Sequence, residues 1–144
     1  MHKNPIIIID DDAEDLELIS EAFKDLDTKN ELVCFNKAGN ALSYLKESAQ
    51  PPLFILCDVN MDTINGFELR QILYDDEVLR LRTIPFLFLS TGSDGNDIKR
   101  AYDLSVQGYF KKPTSYEGIV TMLSCIMTYW GCCQHPNSKG LRYD

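Results

Sequence analysis

Four consecutive isoleucines, Ile6–Ile9, open the apolar pattern of the chain. An unbroken β-branched run of this kind predicts a strand buried on both faces. Behind it, Leu16, Ile19, Phe23 and Leu26 recur at three- and four-residue spacing and mark the apolar stripe of a first helix. Leu32–Phe35 predicts a second strand. Ala38, Leu42 and Leu45 mark a second helix, which Pro51 and Pro52 bring to an end. Residues 53–57 form a third apolar run, and Gly66 opens a third helix with Leu69, Ile72 and Leu73 facing inward. Pro85 precedes a fourth strand at 86–89, where a missing N–H is tolerated. Asp94 or Asn96 suits the cap of a fourth helix carrying Ile98, Ala101 and Tyr102. Gly108–Lys111 reads as a fifth strand, and Ile119, Leu123, Ile126 and Trp130 stripe a fifth helix. Regular alternation of strand and helix predicts an α/β fold, a parallel sheet covered on both faces. Right-handed crossovers then restrict it to a few doubly wound strand orders.

A chain of 144 residues has room for one such core. We assign the domain to 1–131 and treat 132–144, which has no periodicity, as a tail. The apolar runs at 5–9 and 85–89 are far too short to span a bilayer. Met1, His2, Lys3 and Asn4 lead into an apolar run that ends in aspartates rather than small residues, unlike a signal peptide. The expectation is a cytoplasmic protein. A net charge of −8 speaks against DNA or RNA as the main partner. The five cysteines include no CxxC pair. Cys34 and Cys57 sit in apolar runs and are read as reduced core residues. Cys132, Cys133 and His135 lack the spacing of a zinc site.

Chemistry gathers at the strand ends. The first strand ends in Asp10, Asp11 and Asp12, the third in Asp58, the fourth in Ser90 and Thr91, and the fifth in Lys111, Lys112 and Pro113. In open α/β sheets, ligands bind at the carboxyl ends of strands beside the switch point. If the order is 2-1-3-4-5, the first and third strands are neighbours there, and Asp10, Asp11 and Asp58 converge. Clustered carboxylates need a cation, and oxygen-only ligands favour Mg²⁺, with Mn²⁺ as the alternative. Lys112 adds positive charge and Ser90 a hydroxyl donor. A carboxylate nucleophile, a metal, a lysine and a hydroxyl are the parts that phosphoryl transfer uses.

These stretches, in this order, resemble the receiver domain of two-component response regulators, including the single-domain chemotaxis regulators. The matching residues are the isoleucine run with Asp10, Asp11 and Asp12; Asp58 with Asn60, Met61, Asn65 and Gly66; the run from Pro85 to Ser90; and Gly108 and Tyr109 through Lys112 and Pro113. The resemblance spans residues 5 to about 130. It implies a flavodoxin-like five-stranded sheet of order 2-1-3-4-5 and a phosphoacceptor at Asp58. Asp10, Asp11, Asp58 and the main-chain carbonyl of Asn60 would hold the metal. Lys112 and Ser90 would contact the phosphoryl group, and Ser90 and Tyr109 would switch. The bond before Pro113 is expected to be cis. The implied donor is a sensor histidine kinase or phosphotransfer protein. The output is contact with a downstream protein or a second copy, through the face of the fourth helix, fifth strand and fifth helix. With no DNA-binding output domain, the chain is expected to signal rather than act as an enzyme. Asp62 departs from the pattern, standing where the family usually has proline, and puts another carboxylate beside the metal site.

Simpler roles exist for these residues. Asp10, Asp11 and Asp12 could serve as helix-capping acids, and Asp12 suits that role best. Lys112 alone would be a solvated lysine, and Tyr109 half-buried packing. The matching strand ends favour the joint site. A haloacid-dehalogenase-type phosphotransferase would carry a second acid two residues after its nucleophile, where this chain has Asn60. No GxGxxG or GxxxxGK[ST] follows a strand, which disfavours a nucleotide-binding domain.

Overall fold

The computed structural model describes residues 3–92, 94–138 and 143. Met1, His2, Ser93 and the tail positions 139–142 and 144 lie outside the described residues. The elements run β1 (Ile6–Ile9), α1 (Ala13–Asp25), β2 (Leu32–Phe35), α2 (Ala38–Glu47), β3 (Phe54–Asp58), α3 (Gly66–Asp75), α4 (Glu77–Leu81), β4 (Phe86–Ser90), α5 (Gly95–Asp103), β5 (Gly108–Lys111) and α6 (Tyr116–Cys132). All strands pair in parallel, in the order β2-β1-β3-β4-β5. No described helix is long and apolar enough to cross a membrane.

The side-chain period of two divides each strand between two cores. Ile6, Ile8, Phe54, Leu56, Leu87 and Leu89 face α1 and α6, where Phe23, Leu123, Ile126 and Trp130 meet them. Ile7, Ile9, Ile55, Cys57, Phe86 and Phe88 face α2, α3 and α5. Each buried isoleucine of β1 contributes about 2–3 kcal/mol of transfer free energy. This double burial holds β1 and β3 side by side in the middle of the sheet, with their carboxyl ends together.

Two expectations change. Cys34 is exposed rather than in the core, beside the Ser20 hydroxyl at 3.8 Å. β2 is an edge strand, so its residues are less covered than those of β1. The third helical segment is also followed by a short helix, α4, that the apolar pattern does not predict. Asp76 leaves the α3 helix in an extended conformation (ψ 112°), and its carboxylate accepts from the Leu79 N–H at 3.1 Å, restarting the helix. Beyond α6 the chain is fastened to the amino end of the sheet. His135 is buried, with Nε2 2.8 Å from the Leu53 carbonyl and its ring beside Trp130. The role of His135 is thus packing and anchoring.

Candidate functional site

β1 delivers Asp10 and Asp11 to the crevice, and the α1 cap fixes their aim. Asp12 occupies the N-cap and accepts from the N–H groups of Glu14 and Asp15 at 2.9 and 3.3 Å. Its own N–H donates to Asp10 at 3.0 Å. Asp10 is buried, whereas Asp11 is exposed and accepts from the Asp62 N–H at 3.1 Å. Asp58 ends β3 and is 6% exposed. Carboxylate oxygens of Asp10, Asp11 and Asp58 all lie within 4.8 Å of one another.

The loop after Asp58 has little freedom. Gly66 donates its N–H to the Val59 carbonyl at 2.8 Å. A Cβ on Gly66 would stand 2.4 Å from the Asp58 carbonyl oxygen, so only glycine allows α3 to start here. Asn65 caps α3 in a capping box with Glu68. Thr63 takes a positive φ of 66°, unusual for a β-branched residue. The Asp62 side chain is exposed, and this residue reaches the site through its backbone.

Lys112 enters from β5, its N–H bonded to the Ser90 carbonyl at 2.7 Å. Its ammonium lies 2.8 Å from Asp15, 3.0 Å from Asp10 and 3.4 Å from Asp58. No peptide bond among the described residues is cis, so the bond between Lys112 and Pro113 is trans, contrary to expectation. The backbone bond to Ser90 and the long side chain bring the ammonium inward with the commoner isomer. Ser90 is buried, and its hydroxyl oxygen accepts from the Gly92 N–H at 3.2 Å. Tyr109 is half-buried, with its ring edge-on to Phe88 and its hydroxyl donating to the Gly92 carbonyl at 3.3 Å.

The charges are unbalanced: Asp10, Asp15 and Asp58 face the one ammonium, and Asp11 adds a further carboxylate to the cluster. Burial, and then the charge of Asp10, push the Asp58 carboxyl up to about 6, against the pull of Lys112 and the Asn60 N–H. Burial also raises Asp10. Lys112 is raised too: burial works to lower it, but its bonds to Asp15 and Asp10 and the nearby charges outweigh that. Oxygen-only ligands, crowded carboxylates and unrelieved negative charge fit a hard divalent cation.

Sequence reasoning missed Asp15. Its signal was the Asp12 cap, which fixes the register of the first helical turn and so the direction of the third residue in it.

Residues 6–124 match the family model described as response regulator receiver domain. The chain is 29% identical over 129 residues to the probable methanogenesis regulatory protein FilR2 of Methanothrix harundinacea, covering 87% of this chain and 82% of that one. It is 26% identical over 131 residues to response regulator Rcp1 of Synechocystis, covering 87% of each. Among solved structures, the phosphorylated cyanobacterial phytochrome response regulator RcpA superposes with a TM-score of 0.84 at 27% identity, over 94% of this chain and all of that one.

Proposed function

This chain belongs to the response regulator receiver domain family, and on that premise we propose that it accepts a phosphoryl group on Asp58 and signals by protein contact. The observation that carries this is the convergence of Asp58 with Asp10 and Asp11 at the carboxyl end of the sheet, with the Lys112 ammonium 3.4 Å from Asp58. The similarity to RcpA, whose structure is of a phosphorylated form, supports it.

In the proposed reaction an ionised oxygen of Asp58 attacks the phosphorus of a phosphohistidine on a sensor kinase or phosphotransfer protein. A P–O bond forms, the P–N bond breaks, and the imidazole leaves with the electron pair and takes a proton from solvent. Asp10, Asp11, Asp58 and the main-chain carbonyl of Asn60 would hold Mg²⁺ or Mn²⁺, which when bound supplies positive charge against the phosphoryl oxygens. Lys112 donates to one phosphoryl oxygen and Ser90 to another. As the Ser90 side chain moves towards the phosphoryl group, the loop it holds through the Gly92 N–H, and to which Tyr109 is tied, would follow. The face of α5, β5 and α6 would carry that change to a downstream protein or to a second copy.

The test is intact mass after incubation with acetyl phosphate and Mg²⁺, with Asp58→Asn alongside, then repeated with a phosphorylated histidine kinase. One labile phosphoryl group on the wild type alone is the expected result. A folded wild type that takes no label from either donor would make the chain a contact module that works without phosphorylation.

A further inference from the structure

We propose that Asp15 is a positioning residue that competes with the phosphoryl group for Lys112 and so limits how tightly that group is held. The inference rests on Asp58 being the phosphoacceptor. Its basis is geometric. Of the three carboxylates around the Lys112 ammonium, Asp15 is the nearest at 2.8 Å, and Asp58, the proposed reaction centre, is the farthest at 3.4 Å. Asp15 stands apart from the cluster of Asp10, Asp11 and Asp58 whose oxygens could share a metal ion. A cation in that cluster would draw Asp10 and Asp58 to itself and leave Asp15 as the counter-ion of Lys112. For an incoming phosphoryl oxygen to take the ammonium, the charge-assisted bond to Asp15 must lengthen or break.

The surroundings decide where Lys112 goes without Asp15. A gap of about 30 Å³ beside Asp15 and Lys112 is lined by Ile19, Leu89, Pro113, Ile119 and Met122. Apolar walls of this kind cannot solvate a freed ammonium. Lys112 is therefore left to Asp10 and Asp58, and, with a cation drawing on Asp10, to whatever Asp58 carries. Removing Asp15 should strengthen phosphoryl binding, the opposite of what loss of a merely structural contact would do. Asp15 is partly exposed, so its replacement leaves the cores intact.

The experiment measures the affinity of trifluoroberyllate, whose fluorines stand in for phosphoryl oxygens, by ¹⁹F NMR in Mg²⁺ for wild type, Asp15→Asn and Asp15→Ala. The acyl-phosphate half-life is measured in parallel. Both variants should bind trifluoroberyllate roughly tenfold more tightly, the scale of one charge-assisted hydrogen bond, and hold the phosphoryl group several-fold longer. Wild-type binding that both variants leave unchanged or weaken overturns the role of Asp15 alone. A wild type that neither binds trifluoroberyllate nor takes a phosphoryl group overturns the phosphoacceptor assignment, and the role of Asp15 with it.

Discussion

Ser90 and Tyr109 are joined through one residue: the Ser90 hydroxyl oxygen accepts from the Gly92 N–H at 3.2 Å, and the Tyr109 hydroxyl donates to the Gly92 carbonyl at 3.3 Å. Movement of either side chain therefore acts on the same peptide segment. Ser90→Ala leaves the Gly92 N–H without this partner, a loss of about 1 kcal/mol. Hydrogen exchange at the Gly92 amide should quicken several-fold in Ser90→Ala and less in Tyr109→Phe. Equal protection in both variants and the wild type would mean that the two side chains do not hold this loop.

Asp58 is raised to about 6, from an ordinary value near 4. The folded state thus holds this proton more tightly than the unfolded chain. The resulting stability is present in full below about pH 4 and is lost as pH rises through 6. Metal-free Asp58→Asn lacks that loss. It should exceed the wild type by on the order of 2 kcal/mol at pH 7.5, and the gap should close near pH 4. Urea unfolding in chelator across this range measures it. An undiminished gap at pH 4 would place its origin outside Asp58 ionisation.

The same titration bears on the metal. A protonated Asp58 is a poor ligand, so Mg²⁺ should raise the wild-type melting temperature strongly at pH 7.5 and weakly below pH 6. Asp58→Asn should gain less from Mg²⁺ than the wild type at the higher pH. Equal gains in both proteins would remove Asp58 from the metal set.

Lys112→Met should destabilise the metal-free protein at pH 7.5 by roughly 2–4 kcal/mol, because buried Asp10 loses its cation. The loss should shrink as pH falls and Asp10 and Asp58 take up protons. A pH-independent loss, read from urea unfolding, would point to lost packing instead.

Gly66→Ala brings a methyl to 2.4 Å from the Asp58 carbonyl and 3.0 Å from the Val59 Cα. Both neighbours are backbone and cannot swing aside, so about 3 kcal/mol or more should be lost. Gly39→Ala, in open space on α2, is the control and should be neutral or slightly stabilising. Similar unfolding midpoints for the two variants would contradict the close approach.

The apolar pattern was enough to read β1, β2 and β5 to their ends, and the strand-end residues followed from it. β4 extends one residue further, to Ser90, and β3 is shifted by one, starting at Phe54 and ending at Asp58, because ladder pairing does not depend on side-chain polarity. The short α4 stayed hidden because it is specified by one cap, Asp76, rather than by a repeating stripe. Cys34 was misread because an apolar run does not say which strand lies at the edge.

Composition, periodicity and motif order were local enough to settle the α/β alternation and to bring forward Asp10, Asp11, Asp58, Ser90 and Lys112. They could not settle how one ammonium divides itself among Asp10, Asp15 and Asp58, or that Ser90 and Tyr109 meet at Gly92. Those depend on distances of about 3 Å between residues far apart in the chain. Such distances exist only once strand order and helix register have brought the strand ends together.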